Sequence, residues 1–231
     1  MSKHKFAVIG LGLFGRAIAK TLSERGAEVL AIDINEEKIQ DIRDDVAYAV
    51  SFDATDMKVL KVQNIRDVDA VVVAIGENFE ALLLCTVHLL EMKVKRIIAR
   101  AEGPLQRMIL EKLGVHEILS PENEVGIAVA EKLIHPSIVS FLQLPDEYEI
   151  VEIKTPKGIA NRTLEDIGLR NKYKLNLITF KREVEVEKNG ETVIEQHIIG
   201  VPRSSTVLYE TDTIVVFGRS KDIGKFIEIN Q

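Results

Sequence analysis

The chain has 231 residues, 46% of them apolar and 29% charged. That balance excludes intrinsic disorder and fits one large domain or two small ones. Lys plus Arg number 30 and Asp plus Glu 36, a formal charge of −6, which argues against a general nucleic-acid partner because that needs a basic face. The single cysteine excludes an internal disulfide and a multi-thiolate metal site. His4, His88, His116, His135 and His197 are scattered and form no metal-ligand pair. No apolar run approaches the roughly 18 residues of a membrane span. The segment Met1-Ser2-Lys3-His4-Lys5 lacks signal-peptide architecture, so a cytosolic chain is expected.

In chain order, the first 120 residues alternate apolar runs with amphipathic stretches. The runs are 6–9 ending at Gly10, 29–32 ending at Asp33, 46–50, 71–75 ending at Gly76, 96–99 and 117–119. Unalternating runs fit strands covered on both faces. Helical spacing follows at Ile18 and Leu22, stopping at Gly26, then over 82–92 and over 105–113, stopping at Gly114. The rhythm predicts a Rossmann-like α/β fold, a doubly wound parallel sheet. After residue 120 the rhythm changes. Pro121 opens a helical stretch through Leu133 that stops before Pro136, and an apolar segment at 138–142 precedes Pro145. Strands are then expected at 150–153, 175–180, 183–187, 193–199 and 213–217, with Asn189-Gly190 as a hairpin turn. This predicts a small α+β second domain. The expected division is a nucleotide-binding domain over 1–136, a crossover or linker over 137–145, and the second domain over 146–231.

The strongest local signal is Gly10-Leu11-Gly12-Leu13-Phe14-Gly15, which follows a strand, opens a helix and precedes Asp33 at the end of the next strand. That context marks an adenine-nucleotide site. Gly10 permits the tight turn, Gly12 lets phosphate reach backbone N–H groups, and Gly15 lets the helix pack on the sheet. Asp33 suits ribose hydroxyls. Arg16 either neutralises phosphate or is a solvated helix cation. Asn35 either assists at the ribose or caps the next helix. Asp53, after the third strand, is within reach of the adenine edge, while Thr55 or Asp56 caps the helix beyond. Ile75 and Gly76 end the fourth strand at the ligand edge, and Asn78 is a candidate cap. No nucleophile elbow, P-loop or paired carboxylates with a catalytic setting appear. Cys85 sits among leucines and reads as a core residue.

These motifs, in this order, resemble the RCK (KTN) family, the cytosolic regulatory subunits of Ktr and Trk potassium transporters. The match continues through Leu113-Gly114 and Ser120-Pro121-Glu122. Asp146-Glu147-Tyr148, Ile167-Gly168-Leu169-Arg170 and 212–218 resemble its C-terminal (TrkA-C) domain, with one copy of each domain. The resemblance implies a nucleotide-sensing, non-enzymatic gating-ring subunit that pairs into dimers and an octamer beneath a membrane potassium channel, peripheral to the inner face of the membrane. It implies ATP or ADP, or alternatively NAD or NADH, as ligand. Gly10, Gly12, Gly15 and Arg16 would then lie at the phosphates, Asp33 and Asn35 at the ribose, Asp53 and Ala54 at the adenine, and Ile75 and Gly76 along the pocket. Glu122 matches a carboxylate that helps hold magnesium or calcium near the phosphates at the dimer interface; its other reading is a helix N-terminal carboxylate. Residues 133–144 would pack on a partner subunit. Arg170 and Asn176 fall where some relatives bind cyclic di-AMP. Pro202 is a further match there, but the 183–197 hairpin looks like an insertion before it. The alternative is a small NAD-dependent oxidoreductase.

Overall fold

The computed structural model describes residues 4–115, 117–188 and 191–230. They divide into two compact units, 1–124 and 125–231.

The first unit runs β1 (Lys5–Ile9), α1 (Leu13–Glu24), β2 (Glu28–Asp33), α2 (Glu36–Ile42), β3 (Tyr48–Ser51), α3 (Met57–Val62), β4 (Ala70–Val73), α4 (Phe79–Glu91), β5 (Ile97–Arg100), α5 (Pro104–Lys112) and β6 (Glu117–Leu119), and enters α6 (Pro121–Ile134). Its six strands lie in the order β3-β2-β1-β4-β5-β6, all parallel. The chain therefore reverses its winding direction at β1, and the carboxyl ends of β1 and β4 open a crevice there. Ile9 is level with Ile32 and with Val73, so Gly10, Asp33 and Ala74 emerge together at one edge.

Both faces of the sheet are covered, which is why its strands read as unbroken apolar runs. Ala7, Ile9, Ile32, Val71 and Val73 pack against Leu82, Cys85 and Leu89 of α4. Val8, Val29, Ala31 and Val72 pack on the other face against Ala19, Ile39 and Ile42 of α1 and α2. The helix starts obey local capping chemistry. Asn35 accepts from Glu37 N–H, Asp56 from Lys58 N–H and Asn78 from Ala81 N–H. Helix α1 differs, since Gly12 occupies its N-cap and no side chain caps it.

The second unit takes up the chain within α6 and continues with β7 (Ile138–Gln143), β8 (Tyr148–Lys154), β9 (Arg162–Thr163), α7 (Leu164–Ile167), α8 (Leu169–Tyr173), β10 (Asn176–Lys188), β11 (Glu191–Ile198), β12 (Val207–Leu208), β13 (Thr213–Arg219) and α9 (Ser220–Asn230). Its main sheet is ordered β11-β10-β13-β8-β7, with antiparallel pairing throughout. Val151, Ile153, Phe180, Ile214 and Val216 form its core with Ile223, Phe226 and Ile227 of α9.

Three expectations change here. The stretch 137–145 is no linker: Ile138–Gln143 is an edge strand whose backbone pairs with β8, with Phe141 opposite Val151. The division at 136/137 falls late, because Ile127 and Glu131 of α6 already line a hollow with Ile223 and Ile227 of α9. The two strands expected at 175–180 and 183–187 are one strand of 13 residues, β10. It pairs with β11 out to Lys188 and Glu191; the expected turn residues Asn189 and Gly190 lie outside the described residues, as do His116 and Met1 to Lys3. No helix among the described residues is long and apolar enough to cross a membrane.

Candidate functional site

A cleft of about 790 Å³ opens at the carboxyl edge of the first sheet. Gly10, Gly12, Leu13, Phe14, Asp33, Asp53, Ala54, Ile75, Gly76, Asn78 and Glu122 line it, together with Lys38, Thr55, Arg100 and Glu102.

The glycines are explained one contact at a time. Gly10 has φ +93°, and a Cβ there would stand 2.9 Å from both Ala74 C and Ile75 N. The turn therefore needs a residue that is free at positive φ and has no side chain. A Cβ on Gly15 would stand 1.9 Å from Gly10 O, so this glycine lets α1 lie against β1; it sits beneath the cleft rather than in it. A Cβ on Gly12 would meet nothing within 4 Å. Gly12 is bare toward open space at the start of α1, where the first backbone N–H groups have no intrahelical acceptors and the helix dipole is positive. The first turn of α1 carries no acidic residue to satisfy them. This is a ready anion site.

Asp33 is buried and accepts from Leu11 N–H at 2.6 Å and Asn35 N–H at 2.8 Å. Lys38 Nζ stands 3.6 Å away. The carboxylate thus fixes the glycine loop against β2 and still faces the cleft, where hydroxyls can share its remaining lone pairs. Asp53 accepts from the backbone N–H and the hydroxyl of Thr55, at 2.9 and 2.7 Å. The Thr55 hydroxyl and then its N–H hold the Asp53 carboxyl below the ordinary range. Asp56, not Thr55, caps the next helix.

Arg16 and Asn35 do not line the cleft. Arg16 turns away from the cleft: its guanidinium donates to the Asp41 carboxylate and carbonyl, both at 3.0 Å. Asn35 spends its side chain on the α2 cap and does not line the cleft. The cation at the glycine end is Arg100 instead. It closes β5, lies over the Phe14 ring with 5.9 Å to the centroid, and pairs with Glu122 and, at 3.2 Å, with Glu102. The sequence holds the signal for it: Arg100 ends an apolar run at the ligand edge, by the same logic as Asp33 and Gly76. Its distance in sequence from the glycine loop hides it.

Glu122 does line the cleft, but its carboxylate is already held by Arg100. Its own backbone N–H, and then Arg100, keep that carboxyl below the ordinary range. No group of three His, Cys, Asp or Glu converges among the described residues. Cys85 is buried, and burial, then the Asp53 charge, push its thiol up to about 12. It is inert core, as the sequence indicated. In the second unit, Arg170 Nε donates to Asn176 Oδ1 at 2.9 Å, and both line a shallow hollow of about 280 Å³. Pro202 is not among its lining residues.

The model of the TrkA-N domain matches residues 6–121. Ktr system potassium uptake protein C of Bacillus subtilis (strain 168) is 37% identical over 97% of this chain and 96% of its own. Ktr system potassium uptake protein A of the same strain is 34% identical over 98% and 96%. The chain belongs to the TrkA-N family of Ktr-type potassium-uptake regulatory subunits. Among solved structures, the GsuK RCK domain has the same fold, with TM-score 0.65 at 15% identity over 99% of this chain and 48% of its own. The chain thus spans about half of that one. GsuK has also been solved as a channel bound to NAD. The expected family and the doubly wound nucleotide-binding fold both stand, and the oxidoreductase alternative is not favoured.

Proposed function

We propose that the cleft of the first unit binds ATP or ADP, and that the chain reports nucleotide state to a potassium-transporting membrane subunit by changing shape, without catalysis. The observation that carries this is the start of α1. It is uncapped, free of acidic residues and bare at Gly12, while Asp33 faces the same cleft at the expected ribose position. The lining holds no His, Cys or Tyr. NAD would satisfy the same turn and Asp33, and GsuK binds it; an NAD-specific reading is the competitor. Glu122, which lines the cleft, is the residue that would hold magnesium or calcium near the phosphates where two subunits pair.

The chain is proposed to act as paired subunits in an octameric ring at the inner face of the membrane. Val125, Val129, Leu133 and Ile134 of α6 stand exposed, an apolar surface that a second copy would cover. In the second unit the juxtaposition of Arg170 and Asn176 supports a second ligand of the cyclic di-AMP type.

The test is calorimetric titration of the full chain with ATP, ADP, NAD and NADH at physiological ionic strength, followed by potassium flux in liposomes carrying the membrane subunit. Tighter ATP and ADP binding is expected, with non-hydrolysable ATP reproducing the ATP response. Clear preference for NAD overturns the ligand assignment, and a response that requires hydrolysis overturns the mechanism.

A further inference from the structure

Arg100 is bound by more carboxylate than it can neutralise. Its Nη2 alone serves both Glu122 and Glu102. Its Nε is buried and has no hydrogen-bond partner. The side chain is only 17% exposed, whereas Glu102 and Glu122 are 42% and 58% exposed. The guanidinium is wedged between the Phe14 ring and Gly76, where a Cβ would stand 2.6 Å from Nη1. It therefore cannot easily leave, while either carboxylate can swing into water at little cost. Lys38, the other cation of the lining, is occupied at Asp33, toward the expected ribose end. Arg100 stands beside the first turn of α1, where the free amide groups attract phosphate.

We infer that Arg100 is the side chain that reads ligand phosphate, and that Glu102 and Glu122 are built-in counter-ions which an incoming di- or triphosphate displaces. This rests on the nucleotide reading above and deepens it. A polyphosphate offers more charge than a carboxylate and is held at the same time by the α1 amides, so it wins the exchange; adenosine offers none and leaves the triad intact. Gly76 is needed because any side chain there would run into the guanidinium. Displacement also releases Glu122 in the first turn of α6, so the event that senses phosphate alters the electrostatics at the head of that helix.

The test is calorimetry of the full chain with adenosine and ADP in buffer containing EDTA, which removes cation bridging. Arg100→Gln should weaken ADP by about tenfold or more, the worth of hydrogen bonds to a charged group, and leave adenosine unchanged. Arg100→Lys should keep part of the ADP preference. Glu102→Gln together with Glu122→Gln should tighten ADP several-fold and leave adenosine unchanged. Equal losses for adenosine and ADP in Arg100→Gln would make Arg100 a structural strut and overturn the inference. So would unchanged or weaker ADP binding in the double Gln variant, which decides alone if Arg100→Gln does not fold. If the wild type binds adenosine as tightly as ADP, phosphate is not read and the inference fails while the adenine site survives. If the wild type binds neither, the nucleotide reading falls first.

Discussion

Two glycines three residues apart should respond to the same substitution in opposite ways. In Gly12→Ala the new methyl meets nothing within 4 Å, and the backbone there, φ −64° and ψ −177°, suits any residue. The unfolded chain loses freedom, worth roughly 0.4–1 kcal/mol of stabilisation, and alanine is a poorer N-cap than glycine by a similar amount. Net stability should hold within about 1 kcal/mol. In Gly15→Ala the methyl would lie 1.9 Å from Gly10 O and 3.1 Å from Ala74 Cβ. Gly10 has little room to retreat, because the space beside it is too small even for a Cβ, which would stand 2.9 Å from Ala74 C and Ile75 N. Helix α1 must move off the sheet, and overpacking of this kind costs about 1–3 kcal/mol. For a unit of this size that lowers the melting temperature by roughly 5 °C or more. The assay is scanning calorimetry of both variants, followed by ADP titration at a temperature where each is folded. Gly12→Ala should melt like the wild type and lose most of its ADP affinity, because the methyl fills space that phosphate needs. Gly15→Ala should lose both. Wild-type ADP affinity in Gly12→Ala would show that phosphate does not approach this turn, and wild-type melting of Gly15→Ala would refute the packing argument.

Cys85 should resist alkylation at pH 8 in the native chain, since a thiol near 12 is thiolate for only about one molecule in ten thousand there, and the thiolate is the nucleophile; denaturant should expose it at once. Its raised pKa also contributes stability that is complete below the unfolded value near 9 and is lost as pH rises toward about 12, a slope that urea titrations should find reduced in Cys85→Ala. In the second unit, Arg182 grips the fully buried Asp212 through two bonds of 2.8 and 2.7 Å. Arg182→Met leaves that carboxylate unpaired and should cost about 3–5 kcal/mol, read as a lower urea midpoint for that unit. An unchanged midpoint would show that the pair is not needed.

The first unit was legible because its evidence is local. A strand covered on both faces has to be apolar throughout, so the runs at 6–9, 29–32 and 71–75 announce a parallel sheet. A turn that crosses from strand to helix beneath a ligand needs glycine, and Gly10 and Gly15 show why at the level of single contacts. Asp33 was placed by the same reasoning, because the end of β2 must lie beside the end of β1. Asn35 and Arg16 were legible only as pairs of alternatives. Asn35 caps the Glu37 amide and Arg16 pairs with the Asp41 carboxylate, choices that only the packing of the helices decides.

The second unit was less legible, because antiparallel edge strands carry no such local mark. Ile138–Gln143 reads equally as a linker or a strand until β8 lies alongside it and satisfies its backbone. The break between 180 and 183 vanished for a similar reason: β10 continues because Ile198 pairs opposite Lys181 and His197 opposite Arg182.

By itself, then, the sequence determined the winding of the first unit and the position of the glycine turn, because periodicity and glycine sterics act over neighbouring residues. Only the tertiary structure decided which cation stands at that turn. Arg16 is adjacent in sequence, yet it is drawn to Asp41; Arg100 is remote in sequence, yet the strand order β1-β4-β5 carries it to Phe14 and Gly76. An ion pair forms with whichever charge packing brings within a few ångströms, and the order of strands in a sheet, not their order in the chain, sets that distance.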